Sequence, residues 1–323
     1  MGLIKSVVQP VAQSVLQRID GVTGVNYTEQ AYSAFSVRDI GVGPSGYVME
    51  VIRDSDLATL DITAAQITDG TLSTFVGTGA SNNGYVRTWY DQTGNGRHMT
   101  GNSSVVRLPH IVKAGVVLAG LSSDEATSNT TMQYLRMSQG TSALASEYGG
   151  TTKAAMLWVG SMGDNPTPTS TSVLVGALRG VGSYQNGGLG ITIVQGGNDS
   201  LSFFNERDGS ADSLDGVSTG ASVNDTEIGE DLAVVSGTVD DDTYSIKVNN
   251  TFEKVLTDTE NDTVELDGTI GMGIMGSFTK TGGSYYQRST SQICREVYFF
   301  GGDNAEKTNI DGLHSKLLTD YSI

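Results

Sequence analysis

One cysteine in 323 residues, Cys294, excludes an internal disulfide framework and allows assembly in a reducing compartment. It lies in the apolar string Gln292-Ile293-Cys294-Arg295-Glu296-Val297-Tyr298-Phe299-Phe300, where a buried, inert thiol is expected. No apolar run approaches the ~20 residues that cross a bilayer, so no membrane partner is expected. Basic residues are scarce: 19 Lys and Arg stand against 36 Asp and Glu, a net charge of −17. Phosphate backbones require a basic patch, and nucleic acid is therefore not an expected partner. The three histidines, His98, His110 and His314, are far apart in sequence and lack metal-ligand spacing. They are expected at the surface or in turns. There is no phosphate loop, dinucleotide fingerprint or nucleophile elbow, and neither a metal nor a cofactor is expected.

Glycine, by contrast, is abundant, with 42 residues, and suits many short strands joined by tight turns. Charged residues make up only 17%, too few for a disordered polyelectrolyte. The acid is concentrated: Gly120 to Gly268 holds 22 acidic and 6 basic residues, nearly the whole excess. This reads as a solvated outer face.

The chain divides near residue 20. In residues 1–20, Leu3, Ile4, Val7, Val8, Val11, Val15, Leu16 and Ile19 recur at spacings of three and four, an amphipathic helix pattern interrupted at Pro10. A valine-rich helix this short is marginal alone and needs a partner. It is expected to anchor the chain to other proteins or to sister copies in a homo-oligomer.

From residue 21 to residue 323 the pattern is that of strands. Val86-Arg87-Thr88-Trp89-Tyr90 has strand composition, and Asp91-Gln92-Thr93-Gly94-Asn95-Gly96 supplies a tight turn after it. Tyr47 to Arg53 alternates, and Ile111 to Ala119 reads as one strand. Ala154 to Ser161 is a nearly continuous apolar run, typical of a strand buried on both faces. Leu232 to Val239 and Thr243 to Asn249 form the clearest hairpin, with Asp240-Asp241-Asp242 as a solvated tip. Asn304 to Leu318 is a closing helix, with Ile310, Leu313, Leu317 and Leu318 on one face and Asp303 or Asn304 as its cap. These elements predict an all-β, two-sheet sandwich with a helix at either end.

The string Trp89-Tyr90-Asp91-Gln92-Thr93-Gly94-Asn95-Gly96 closely resembles the catalytic domain of arabinofuranosidase B, the family 54 glycoside hydrolases. It is also similar to phage tail and virion proteins that carry the same sandwich. The resemblance implies a concanavalin A- or laminin G-like jelly roll. In that family the nucleophile is the Glu of a Gly-x-Met-Glu-Ala-Ile string; the matching Gly187-Gly188-Leu189-Gly190-Ile191-Thr192 places Gly190 there. The family acid/base is an Asp, and the matching stretch Ile270 to Ser277 places Ser277 or a neighbour there. With both carboxylates missing from these matches, no catalytic residue and no enzyme activity are expected.

The functional expectation is therefore a non-catalytic virion protein, such as a fibre, decoration or tail module. It would be assembled in the host cytoplasm and attached to other virion proteins through residues 1–20. The alternative is a glycan-binding module for surface polysaccharide. Its sugar-stacking candidates are Tyr285, Tyr286, Tyr184 and Trp89, with Tyr90 beside the last.

Overall fold

A computed structural model of the chain describes residues 26–41, 46–124, 133–137, 153–162, 172–178, 188–194, 200–205, 216–218, 231–240, 243–257, 272–275 and 292–323. Residues 1–20 and their anchoring pattern lie outside these, as do Tyr184, Tyr285, Tyr286 and Ser277. Four α-helices are described: α1 (Tyr27–Gln30), α2 (Ala64–Thr68), α3 (Thr71–Val76) and α4 (Lys307–Tyr321). Strands β1 (Ser33–Ser36), β2 (Tyr47–Arg53), β3 (Thr59–Thr63), β4 (Gly84–Trp89), β5 (Met99–Thr100) and β6 (His110–Lys113) come first. They are followed by β7 (Val116–Ser123), β8 (Leu135–Met137), β9 (Lys153–Met162), β10 (Ser172–Leu178), β11 (Gly188–Val194) and β12 (Ser200–Asn205). The last are β13 (Gly216–Ser218), β14 (Ala233–Asp240), β15 (Thr243–Val248), β16 (Phe252–Thr257), β17 (Gly273–Ile274) and β18 (Gln292–Gly301).

Every described pairing is antiparallel, and the molecule is an all-β sandwich. One run of neighbours is β16, β15, β14, β9 and β18. Along its other edge β18 meets β1 and β7. From β7 the ladder turns through β6 to β4, which also holds β2 and β5, with β3 beyond β2. A second run continues from β5 through β8, β17, β10, β11 and β12 to β13.

The period of two in β9 divides its apolar run between two cores. Ala154, Met156 and Trp158 join the main core with Met49, Trp89, Val175 and Ile274. Ala155, Leu157 and Val159 point the other way, where Tyr27, Ile310, Leu313 and Leu317 of α1 and α4 cover them. That is why this strand reads as continuously apolar.

The stretch from Ile111 to Ala119 is two strands rather than one. Ala114 and Gly115, at φ of 51° and 76°, turn β6 back into β7, and a side chain on Gly115 would meet the Thr78 backbone. The cap of α4 is also corrected. Neither Asp303 nor Asn304 caps it; Asp240, at the base of the β14–β15 hairpin tip, accepts from Lys307 N at 3.1 Å. Asp240 also pairs with Lys153 at 3.2 Å, so this part of the tip is a tertiary fastening.

Two of the three histidines are buried, against expectation. His314 is held between β14 and the turn after β15, and His110 stacks against Tyr85 with ring centroids 4.5 Å apart. Cys294 is buried as expected, and its surroundings push the thiol well above its ordinary range.

The outer face of β18 carries a buried acid. An extra residue, Arg295, bulges β18 against β9, leaving Glu296 fully buried beneath the end of α4. Its Oε2 accepts from Ser36 Oγ at 3.0 Å, Arg38 Nε at 2.8 Å and Tyr321 OH at 2.7 Å. Its Oε1 accepts from Tyr298 OH at 2.7 Å and Arg38 Nη2 at 3.0 Å. Glu296→Gln, which discharges this site, is expected to lower unfolding stability by about 2 kcal/mol. The loss stays at the low end because Arg38 is 33% exposed and also reaches Asp320 at 3.2 Å. An unchanged urea midpoint would show that the charge contributes nothing.

Candidate functional site: a polar row across the sheet

Residues directly opposite one another in an antiparallel ladder share a face, so the register traces rows across strands. One row begins at Asp61 on β3 and passes through Glu50 on β2 to Thr88 on β4. It continues through Thr100 on β5 and Arg136 on β8 to Gly273 on β17. Gly176 on β10 and Gly190 on β11 complete it. The neighbouring positions Met49, Trp89, Met99, Ile274, Val175 and Ile191 belong to the main core. The row therefore lies on the opposite face of the same strands.

Its two ends differ in chemistry. At Gly273, Gly176 and Gly190 three adjacent strands present bare backbone, and all three glycines are buried. Glycine inside a strand marks a place where another backbone or a ligand comes close. The other end is accessible and polar. Thr88 Oγ1 donates to Glu50 Oε2 at 3.1 Å, and Tyr90 OH donates to Asp61 Oδ1 at 2.6 Å. Burial, and after it the bond to Asp61, holds the Tyr90 phenol protonated well above its ordinary range. His98 stands edge-on to the Tyr90 ring, centroids 5.0 Å apart, and its Nδ1 accepts from Asp91 N at 3.1 Å.

A bulge on β4 makes this face. Glu50 pairs with Thr88 but Val51 pairs with Val86, so Arg87 is the extra residue. Val86 and Trp89 then both point into the core, while Arg87 and Thr88 point out. This corrects Trp89 as a sugar-stacking candidate. Its side chain is fully buried, its ring lies 5.6 Å from that of Phe35, and its Nε1 donates to Ser36 O at 3.2 Å. Tyr90, one residue on, is the aromatic that faces outward.

The two stretches matched to catalytic strands converge. Gly190 and Gly273 lie on either side of Gly176, two strand spacings or roughly 10 Å apart. The remaining candidates, Tyr184, Tyr285, Tyr286, Leu3, Ile4, Val7, Val8, Val11, Val15, Leu16 and Ile19, lie outside the described residues. Among the described residues no group of three or more His, Cys, Asp or Glu side chains is placed to hold a metal ion. The sequence reading missed Glu50 and Asp61. Each is a lone acid at an outward position in an otherwise apolar or Thr-rich strand, and that was the available signal.

No protein-family model matches the chain, and no curated protein matches it in sequence. Solved structures do match. A crystal structure of arabinofuranosidase complexed with arabinofuranosyl-α-1,2-xylobiose covers 88% of this chain at 16% identity, with a TM-score of 0.52. A Glu-to-Gln mutant of a family 54 α-L-arabinofuranosidase soaked with 4-nitrophenyl α-L-arabinofuranoside covers 88% at 14% identity, with a TM-score of 0.52. The fold is family 54-like. This chain spans 62% and 63% of those two proteins' lengths. At such identities the likeness is one of fold. It gives no support to the phage resemblance.

The family 54-like fold also corrects the expectation of a non-enzyme. That expectation rested on Gly190, and on Ser277 or a neighbour, standing where two carboxylates belong. The two structures above are arabinofuranosidases, one complexed and one soaked with an arabinofuranosyl compound, and Ser277 lies outside the described residues. Two missing letters do not exclude hydrolysis.

Proposed function

We propose that the chain is a carbohydrate-active protein of the glycoside hydrolase type, acting on arabinofuranosyl-substituted polysaccharide. The observation that carries this reading is the meeting of β11 and β17 on either side of β10, in a fold shared with arabinofuranosidases over 88% of the chain. The reading takes the two runs of strands as the two sheets of a concanavalin A-like jelly roll, joined through β6 and β7. The net charge of −17 fits a neutral substrate better than an anionic one.

Incubating the full chain with 4-nitrophenyl α-L-arabinofuranoside and with arabinoxylan tests the proposal. Release of 4-nitrophenolate and of arabinose is the expected result. A chain that turns over neither substrate is not an arabinofuranosidase, and the proposal falls.

A further inference from the structure

The accessible end of the polar row combines features that the glycine end lacks. Tyr47, at the start of β2, is 40% exposed, one of the few large apolar or aromatic side chains on the surface of the described residues. Tyr90 is close enough to feel the charges of Asp61 and Glu50. Tyr90 bonds one member of a carboxylate pair, Glu50 and Asp61, that the β2–β3 register sets directly opposite one another, and Tyr47 lies opposite Thr63, two residues along β3 from Asp61. Thr88 and Tyr90 spend their hydroxyl protons orienting those carboxylates, at 3.1 and 2.6 Å.

We propose that this face of β2, β3 and β4 is a neutral-glycan platform, in which Tyr47 and Tyr90 offer ring surface to the sugar and Glu50, Asp61 and Thr88 bond its hydroxyls. An aromatic ring with a polar tip covers the C–H face of a sugar while its edge stays wet. Carboxylates fixed by a hydrogen bond are pre-set acceptors for hydroxyl donors, and charge-assisted bonds of this kind are the strong ones. Two adjacent acids in a chain of net charge −17 repel uronic or sialic acids and phosphates, so the ligand is an uncharged pentose or hexose chain.

The platform is separate from the glycine row. Glu50 and Gly190 are six strand spacings apart along the ladder, roughly 25–30 Å. That is room for several sugar units between the two ends. The choice of glycan as ligand rests on the proposed carbohydrate activity, but binding here does not require turnover.

The test is affinity electrophoresis of the full chain through gels containing arabinoxylan, β-glucan or an acidic pectin, run beside the 4-nitrophenyl arabinofuranoside assay. The wild-type chain is expected to be retarded by a neutral polysaccharide and not by pectin. Tyr47→Ala should weaken the retardation about tenfold, the scale of one aromatic contact. Tyr47→Phe should bind within about twofold of wild type, and the double change Glu50→Gln with Asp61→Asn about as weakly as Tyr47→Ala. Undiminished retardation of Tyr47→Ala, or retardation by pectin alone, overturns the platform. So does a wild-type chain that no neutral polysaccharide slows, whatever the turnover assay shows. Absent turnover with platform-dependent retardation would overturn only the hydrolase reading.

Discussion

Asp91→Ala is expected to destabilise the fold by about 4 kcal/mol, most of the stability of a domain at the low end of the ordinary range. Asp91 is buried at the end of β4, and its carboxylate gathers the turn that follows around the start of β1. Oδ1 accepts from Ala34 N at 3.2 Å, Thr93 N at 3.1 Å and Thr93 Oγ1 at 2.8 Å. Oδ2 accepts from Arg97 N at 3.1 Å and Thr93 Oγ1 at 2.9 Å. Truncation leaves buried N–H groups on both β1 and the turn without acceptors, each a loss of about 1–3 kcal/mol, though not additively. Neighbouring residues complete the fastening. Gln92 Nε2 donates to Ser36 O at 2.8 Å, its Oε1 accepts from Ile40 N at 3.0 Å, and the Arg97 guanidinium lies over the Tyr32 ring at 3.6 Å. Gly41 packs so tightly on the Gln92 backbone that no side chain would fit there. Asp91→Asn should cost nearly as much, because its amide would turn donors toward donors. Urea unfolding reads the result; a midpoint moved by less than about 1 kcal/mol would show the turn to be self-sufficient.

The stretch from Trp89 to Gly96 was legible in sequence because its demands are local. Glycine, Asn and Asp at fixed offsets declare a turn, and Asp91-x-Thr93 closes it within two residues. The β14–β15 hairpin and the α4 stripe were readable for the same reason, each being periodic over a contiguous stretch. What was not readable depends on register between distant strands. Trp89 could be placed in the core or on the surface by composition alone; the bulge at Arg87 decides it, and no local signal marks that bulge. The polar row is assembled from eight strands in a spatial order unlike their order in sequence. Gly190 and Gly273, 83 residues apart, meet only because β10 lies between their strands. Asp240, too, looked like a solvated tip until α4 was found capped by it.

His314 gives the second large effect, and it runs with pH. On α4, its Nε2 bonds the Asn249 carbonyl at 3.0 Å and must carry the hydrogen, since a carbonyl only accepts. Nδ1, 2.9 Å from Ser236 Oγ, is then the acceptor of that hydroxyl. The ring is thus buried neutral, with both nitrogens used and no place for a second proton. Burial pushes its pKa down to about 4 from an ordinary 6.5; Lys247 adds to the fall, while the Asn249 carbonyl, Asp311 and Glu253 oppose it. An unfolded chain takes up this proton below pH 6.5, whereas the folded chain resists until about pH 4. Stability from this site is therefore complete above pH 6.5 and is lost as pH falls from 6.5 to 4, by about 3 kcal/mol in all. His314→Gln should be less stable at pH 7, through imperfect replacement of the two bonds, yet lose correspondingly less between pH 6.5 and 4. Carboxylates elsewhere titrate in both proteins, so the difference between their urea midpoints at pH 7 and pH 4.5 isolates the imidazole. Parallel pH dependences in the two would mean that α4 undocks, or the ring finds water, before the proton arrives.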